Sequence, residues 1–187
     1  MSKGKKVLLL CAEGVEEIEY ISIANILIRC GVRVVTAGVE SYHGVKGRQG
    51  LYLRPDFALS KVMEHKFDGV ILPGGEGAAQ AFSESEYVGR ILKEHYERGS
   101  LVCAICASPL ALQAHRIGIN KKLTSYPCLK NNLKEFYDYQ DTKVVADGNL
   151  VTSQGPGTTN VFALKIAELL VGKNVAKEVA ENMLIFN

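Results

Sequence analysis

An unbroken apolar run, Val7-Leu8-Leu9-Leu10-Cys11, is followed at once by Glu13, Glu16, Glu17 and Glu19. Lys6–Cys11 reads as a buried strand, and Glu16–Cys30 as a helix closed by Gly31. Val32–Ala37, rich in valine, predicts a second strand, so the chain opens as a βαβ unit with a parallel sheet. Gly44, Gly47 and Gly50 divide 44–53 into short apolar pieces, read as a hairpin or irregular extension. A short helix from Ser60 to about Lys66 precedes a strand, Phe67–Leu72, that runs into Pro73-Gly74-Gly75. Ser83 and Glu86 have the spacing of a capping box. The helix behind them carries Val88, Ile91, Leu92 and His95 on one face and ends at Gly99.

Leu101–Ile105 is the next strand, with Cys106 at its end. Ala107–His115 reads as a helix with Pro109 near its first turn. Lys121–Thr124 predicts a short strand and Leu129–Phe136 a weak helix. Lys143–Ala146 and Leu150–Thr152 are strands around the turn Asp147-Gly148-Asn149. Helices Thr158–Val171 and Asn174–Met183 complete the pattern. Strands and helices alternate without repeat or linker. The expectation is one doubly wound α/β domain over residues 1–187, with ligands at the carboxyl ends of its strands.

Composition narrows the function. The 187 residues are 47% hydrophobic and 22% charged, with 18 glycines and 5 prolines, which suits one folded core. Net charge is only +2, and the basic cluster Lys3, Lys5, Lys6 has no interleaved aromatics, so direct nucleic-acid binding is not expected. The first apolar run is too short for a signal-peptide core, and no apolar stretch approaches the roughly 20 residues of a membrane span. A cytoplasmic protein is expected, with the nucleus or mitochondrion as further compartments. Five cysteines, an odd number, argue against a disulfide framework.

Cys106 is the leading chemical candidate. Small residues around it let the chain turn sharply, as at the nucleophile elbow of hydrolases, with cysteine in place of serine. Free N–H groups at the following helix would favour a negative sulfur and lower the thiol pKa. The alternative is a core cysteine, which is the reading for Cys103. Cys103 and Cys106 form a Cys-x-x-Cys spacing. One member lies inside a strand, and no recognised spacing supplies further zinc ligands, with His115 and Cys128 the residues considered. Glu19 shares a helical face with Ser22, Ile23 and Ile26, where burial would raise its pKa. A solvated surface glutamate is its alternative. Gly74 and Gly75 would expose backbone N–H groups for an oxyanion. Tyr126 lies in a loop that reaches the same edge. No dinucleotide fingerprint follows the first strand, so no cofactor is expected. His43, His65, His95 and His115 carry no signal as a base for Cys106.

Four motifs together, 13–19, 72–75, 104–107 and 152–158, resemble the parkinsonism-associated protein deglycase family of the PfpI-like superfamily. The resemblance runs from Lys6 to about Leu184. It implies a flavodoxin-like sheet of the class I glutamine-amidotransferase type and a homodimer. It also implies an oxidation-sensitive nucleophile at Cys106, a protonated partner at Glu19, and pocket donors from Gly75 and Ala107. The implied activity is that of a glutathione-independent glyoxalase, or of a deglycase acting on glyoxal-modified protein or nucleotide, without metal or cofactor. Redox sensing and chaperone action against oxidative stress are the further roles implied. The chain departs from the family pattern at several places. Tyr126 replaces a pocket histidine, Asn25 an aspartate, and Arg54 a second cysteine. Gln49, beside Arg48, and Gln154 replace two arginines near the pocket and dimer contact, where Pro156 also falls. A protease reading lacks a histidine after the nucleophile, since Ala107 stands there.

Overall fold

A computed structural model describes residues 4–40 and 42–185, and Lys3 of the basic cluster lies outside them. A seven-stranded sheet is built from β1 (Lys6–Cys11), β2 (Arg33–Gly38), β3 (Phe57–Ala58), β4 (Gly69–Leu72), β5 (Leu101–Ile105), β6 (Val144–Asp147) and β7 (Leu150–Ser153). Its order is β6-β7-β5-β4-β1-β2-β3, parallel except for the edge pair β6–β7. This is the flavodoxin-like, doubly wound arrangement. Val7–Cys11 is fully buried, which is why β1 reads as a continuous apolar run.

The helices are α1 (Glu17–Arg29), α2 (Leu59–Val62), α3 (Glu76–Glu84), α4 (Glu86–Glu97), α5 (Pro109–Ala114), α6 (Lys130–Leu133), α7 (Thr159–Val171) and α8 (Lys173–Asn182). Helix α1 packs on α7, which α8 covers, while α4 packs on β4 and β5 and α3 packs on α5. None of these helices is long and apolar enough to cross a membrane. Strand β1 has β2 on one side and β4 on the other. The chain therefore reverses its direction of winding at β1–β4, where doubly wound sheets open a ligand crevice at their strand ends.

Several sequence expectations are corrected. Ser83 does not cap a helix. It lies inside α3, where its hydroxyl donates to Ala79 O at 2.7 Å, and Ser85 caps α4 by accepting from Val88 N at 3.4 Å. Helix α3 carries a weak sequence signal because its buried face is mostly small, Ala78 and Ala79 with Phe82, and a glycine pair precedes it. The helix after Cys106 starts only at Pro109, since Ala107 and Ser108 form a turn. Residues 127–129 form a 3₁₀ turn leading into α6, which stops at Leu133. Val45–Lys46 and Tyr52–Leu53 pair antiparallel as the expected hairpin. The two-residue strands Phe57–Ala58 and Asp138–Tyr139 are too short to carry a periodicity. Replacing Ser85 by Ala should cost about 0.5–1 kcal/mol in urea unfolding, more than Ser83→Ala, because only Ser85 satisfies an otherwise orphaned helix N–H.

Candidate active site

Four strand ends meet at the crevice. Strand β4 ends in Pro73-Gly74-Gly75, and Glu19 comes from the first turns of α1. Helix α1 turns Glu19 inward with Tyr20, Ile23 and Ile26, so its carboxyl is fully buried. Gly74 N–H donates to Glu19 Oε2 at 2.5 Å, and Gly74 O accepts from Glu16 N–H at 2.9 Å. The glycine loop is thus bonded to α1 through both of its backbone polar groups. A Cβ at Gly74 would collide with Cys106 Cβ and lie 2.6 Å from Glu19 Oε2. Gly75 adopts φ +97°, and a Cβ there would meet Gly14 O. Only glycines allow this approach.

Cys106 sits at the end of β5 with φ +64°, a left-handed conformation that costs a non-glycine residue energy. Its backbone is held from both sides. Its N–H donates to Ser153 O at 3.0 Å, and its carbonyl accepts from Tyr126 N–H at 2.8 Å. Ser108 Oγ donates to Pro73 O at 2.5 Å, joining the turn after Cys106 to the glycine loop. The thiol is 6% exposed. It faces the backbone N–H groups of Gly75 and Ala107 and the Glu19 carboxyl. Glu19 Oε1 is buried without a hydrogen-bond partner, and the carboxyl also interacts with the Cys106 thiol.

Burial is the main electrostatic influence. It raises the Glu19 carboxyl to about 7, against the lowering effects of the Gly74 and Cys106 hydrogen bonds and the more distant Arg48. It also raises Cys106, and repulsion from an ionised Glu19 adds to this, pushing the thiol up to about 12. The Gly75 and Ala107 donors act in the other direction but do not prevail. A thiol lowered by a helix terminus is therefore not what the structure shows. The six-residue α5 begins beyond the turn, and the desolvated site disfavours charge on both the sulfur and the carboxyl.

A cavity of about 730 Å³ opens over the sulfur. Cys106, Ala107, Tyr126, Arg48, Gln49 and Pro156 all line it. Asn25 does not; it lies on the outer face of α1 and accepts from Arg29 Nε at 2.8 Å. Gln154 is half-buried and bonded through its N–H to Lys143 O at 3.3 Å, outside the cavity wall. Arg54 is exposed, away from that wall. None of the four histidines lines the cavity. His95 is buried with Nδ1 2.7 Å from Ile91 O, and His115 Nε2 lies 2.8 Å from Phe82 O. Cys103 is fully buried in β5. Among the described residues, no three His, Cys, Asp or Glu side chains gather as a metal site.

Sequence reasoning missed several wall residues. Glu76, Ala79, Gln80 and Ser83 come from the unread α3, and Leu110, Cys128 and Leu129 complete the wall. Glu16 also lines the cavity and is 6% exposed. Its signal was present in the acidic run after β1.

A doubly wound α/β protein with a cysteine on a strained strand-to-turn junction, beside a buried carboxyl, is the class defined by these features. The chain belongs to the DJ-1/PfpI family, whose description matches residues 5–169. Protein dj-1beta of Drosophila melanogaster is 46% identical over 183 residues, covering 97% of this chain and 98% of that protein. Glutathione-independent glyoxalase DJR-1.2 of Caenorhabditis elegans is 40% identical over 167 residues, covering 89% and 88%. The crystal structure of Drosophila melanogaster DJ-1beta superposes with a TM-score of 0.97 at 44% identity, covering 99% of this chain and all of that one. Oxidized Toxoplasma gondii DJ-1 superposes with a TM-score of 0.91 at 35% identity, covering 97% and 98%.

The raised Glu19 pKa has a stability consequence. The folded carboxyl holds its proton to a higher pH than the unfolded one, whose value is near 4.5. Folded stability therefore falls as pH rises from about 4.5 to about 7, and is level above that range. Glu19→Gln removes this slope. Urea unfolding of the variant should gain on the order of 3 kcal/mol on the wild type between pH 4.5 and pH 7.5. Parallel curves for the two proteins would show that Glu19 ionises normally.

Proposed function

We propose that this chain is a cofactor-independent thiol enzyme of the glyoxalase or deglycase type, protecting against oxidative and carbonyl stress. Its substrates would be methylglyoxal and similar dicarbonyls, or glyoxal adducts of protein and nucleotide. One observation carries the reading: a carboxyl that titrates near neutrality sits beside a thiol that also faces two backbone N–H groups. The likeness to a Caenorhabditis elegans glyoxalase independent of glutathione supports it.

The chemistry follows from the pair. As Cys106 sulfur bonds to the aldehyde carbon of methylglyoxal, the thiol proton passes to Glu19. The N–H groups of Gly75 and Ala107 stabilise the oxyanion. Glu19 returns the proton to that oxygen, giving a hemithioacetal. The carboxylate then removes the hydrogen on C1 as a proton to give an enediolate, the C1 hydroxyl proton moves to the C2 oxygen, and Glu19 returns its proton to C2. The product is a lactate thioester, and water releases lactate and the free thiol. Methylglyoxal plus water gives lactate with no external oxidant or reductant. A group with a pKa near 7 suits both directions of transfer.

Lactate formation should fall at least 100-fold in Cys106→Ser and in Glu19→Gln, because each loses a group used in bond making. Equal turnover by all three proteins would rule the mechanism out.

A second reading has its own support. The same donors and the carboxyl proton would stabilise a Cys106 sulfinate, formed by two peroxide equivalents with loss of two waters. This makes the chain a redox sensor or redox-regulated chaperone with little turnover, and a family neighbour of known structure is an oxidized form. In a peroxide titration followed by intact mass and peptide mapping, Cys106 should gain two oxygens first. Earlier oxidation of the exposed Cys128 would defeat this reading.

The partner proposed for the outer face of α1 is a second copy of the chain. Ile18, Ile21 and Ile28 lie one helical stripe apart and are 55%, 47% and 59% exposed, with Asn25 between them. Light scattering should give a dimer mass, and Ile21→Glu should give a monomer.

A further inference from the structure

Glu17 is 4% exposed and is not part of the cavity wall over Cys106. Its carboxylate accepts three backbone hydrogen bonds from one loop. Gln49 N–H donates to Oε1 at 2.8 Å and to Oε2 at 3.1 Å, and Leu51 N–H donates to Oε1 at 3.2 Å. The loop closes around it, because Gly47 N–H donates to Leu51 O at 2.8 Å. Gly47 has no room for a side chain, since a Cβ there would overlap the Glu17 carboxylate. Two neighbouring contacts extend the clamp. Glu13 accepts from Lys46 N–H at 3.1 Å, and Arg48 N–H donates to Val15 O at 2.9 Å.

Between these anchored amides stand Arg48 and Gln49, both of which line the cavity over Cys106. Arg48 is the one lysine or arginine among the described wall residues, and its guanidinium lies 3.9 Å from Glu76 of the opposite wall element, α3. Neither side chain has an element of regular structure to hold it. A buried carboxylate accepting several N–H bonds is a strong local anchor, and among the described residues no other buried side chain is hydrogen-bonded to this loop.

We propose that Glu17 is a positioning residue for the thiol cavity, its carboxylate fixing the loop that carries the Arg48–Gln49 wall. The role of this wall in binding a carbonyl substrate rests on the glyoxalase-type reading above; the anchoring does not. Arg48 and Gln49 supply N–H donors to substrate oxygens, whereas Cys106, Glu19, Gly75 and Ala107 belong to other segments. Loss of the anchor should therefore act on substrate binding more than on the chemical step.

The test compares wild type, Glu17→Ala, Glu17→Gln and Gly47→Ala as full chains. Glu17→Ala should raise KM for methylglyoxal about tenfold while kcat changes less than about threefold. Glu17→Gln keeps one acceptor oxygen and should fall between wild type and Glu17→Ala. Gly47→Ala, which forces the carboxylate aside from the loop, should reproduce the Glu17→Ala effect and guards against a folding defect in α1. In an Arg48→Ala/Gln49→Ala background, adding Glu17→Ala should leave KM where it is, since the wall is already gone. Additive effects, or a fall in kcat at constant KM, would overturn the proposal. Amide exchange at Gln49 and Leu51 should speed at least tenfold in Glu17→Ala, with Gly74 N–H still protected. Unchanged exchange at Gln49 and Leu51 would also overturn it. If the wild type forms no lactate, the glyoxalase reading fails by itself. The exchange result then decides this one, together with Cys106 alkylation by iodoacetamide. That alkylation should be several-fold faster in both Glu17→Ala and Gly47→Ala, and an unaltered rate would count against the proposal.

Discussion

The bond from Gly74 N–H to the Glu19 carboxyl joins two parts of the chain that the sheet brings side by side. Strand β4 ends in the glycine loop, β1 leads into α1, and the carboxyl spans the gap at the point where the winding reverses. Without a Cβ at Gly74, the carboxyl and the Cys106 side chain both approach the loop backbone. With one, neither would. The strained backbone at Cys106 makes sense in the same frame. A residue at φ +64° persists only when its neighbours over-determine it, and here Ser153, Tyr126 and the Ser108–Pro73 bond do so.

The acidic run after β1 divides its work by helical phase and by distance from the strand end. Glu13 and Glu17 hold the loop at 46–51 by its backbone. Glu16 enters the cavity wall, and Glu19 reaches the sulfur. Three of the four are buried, which a stretch of clustered carboxylates would not suggest by composition. The buried Glu17 meets backbone N–H donors that compensate for lost water. Glu19 meets only one, and its second oxygen has no hydrogen-bond partner. Burial with so little compensation is why Glu19 holds its proton to near neutral pH.

The central strands β1, β4, β5 and β7 were legible because they are buried on both faces and appear as plain apolar runs. Cys106 and the glycine loop were legible because both fall where such a run stops. Helix α3 was not, since alanine and glycine give a weak periodic signal. With it went the wall residues Glu76, Ala79, Gln80 and Ser83. Glu19 could be nominated from its helical face, but nothing local separates a buried glutamate from a solvated one. What decides the matter is Gly74, 55 residues away in the chain. Asn25 and Gln154 show the reverse limit. Both are singled out by the family resemblance alone, and neither lines the cavity.

The thiol's electrostatics bear on how reactivity is stored here. A low thiol pKa would require the surroundings to favour an isolated negative sulfur, and burial beside a carboxylate does the opposite. Reactivity must then lie in the pair. Moving one proton from sulfur to Glu19 keeps the total charge constant, so it avoids most of the cost of adding charge to a desolvated site. The acid so formed no longer repels the sulfur and offers it a hydrogen bond, while Gly75 and Ala107 offer two more. An attacking electrophile draws on that arrangement only as the new bond forms. A carbonyl carbon and a peroxide oxygen satisfy the condition equally, because each accepts an electron pair from sulfur and each leaves an oxygen to be protonated. On the proposed function, the fate of Cys106 would be set by which electrophile the cavity walls admit and hold, and the control of specificity would lie in the loop and helix that surround the sulfur.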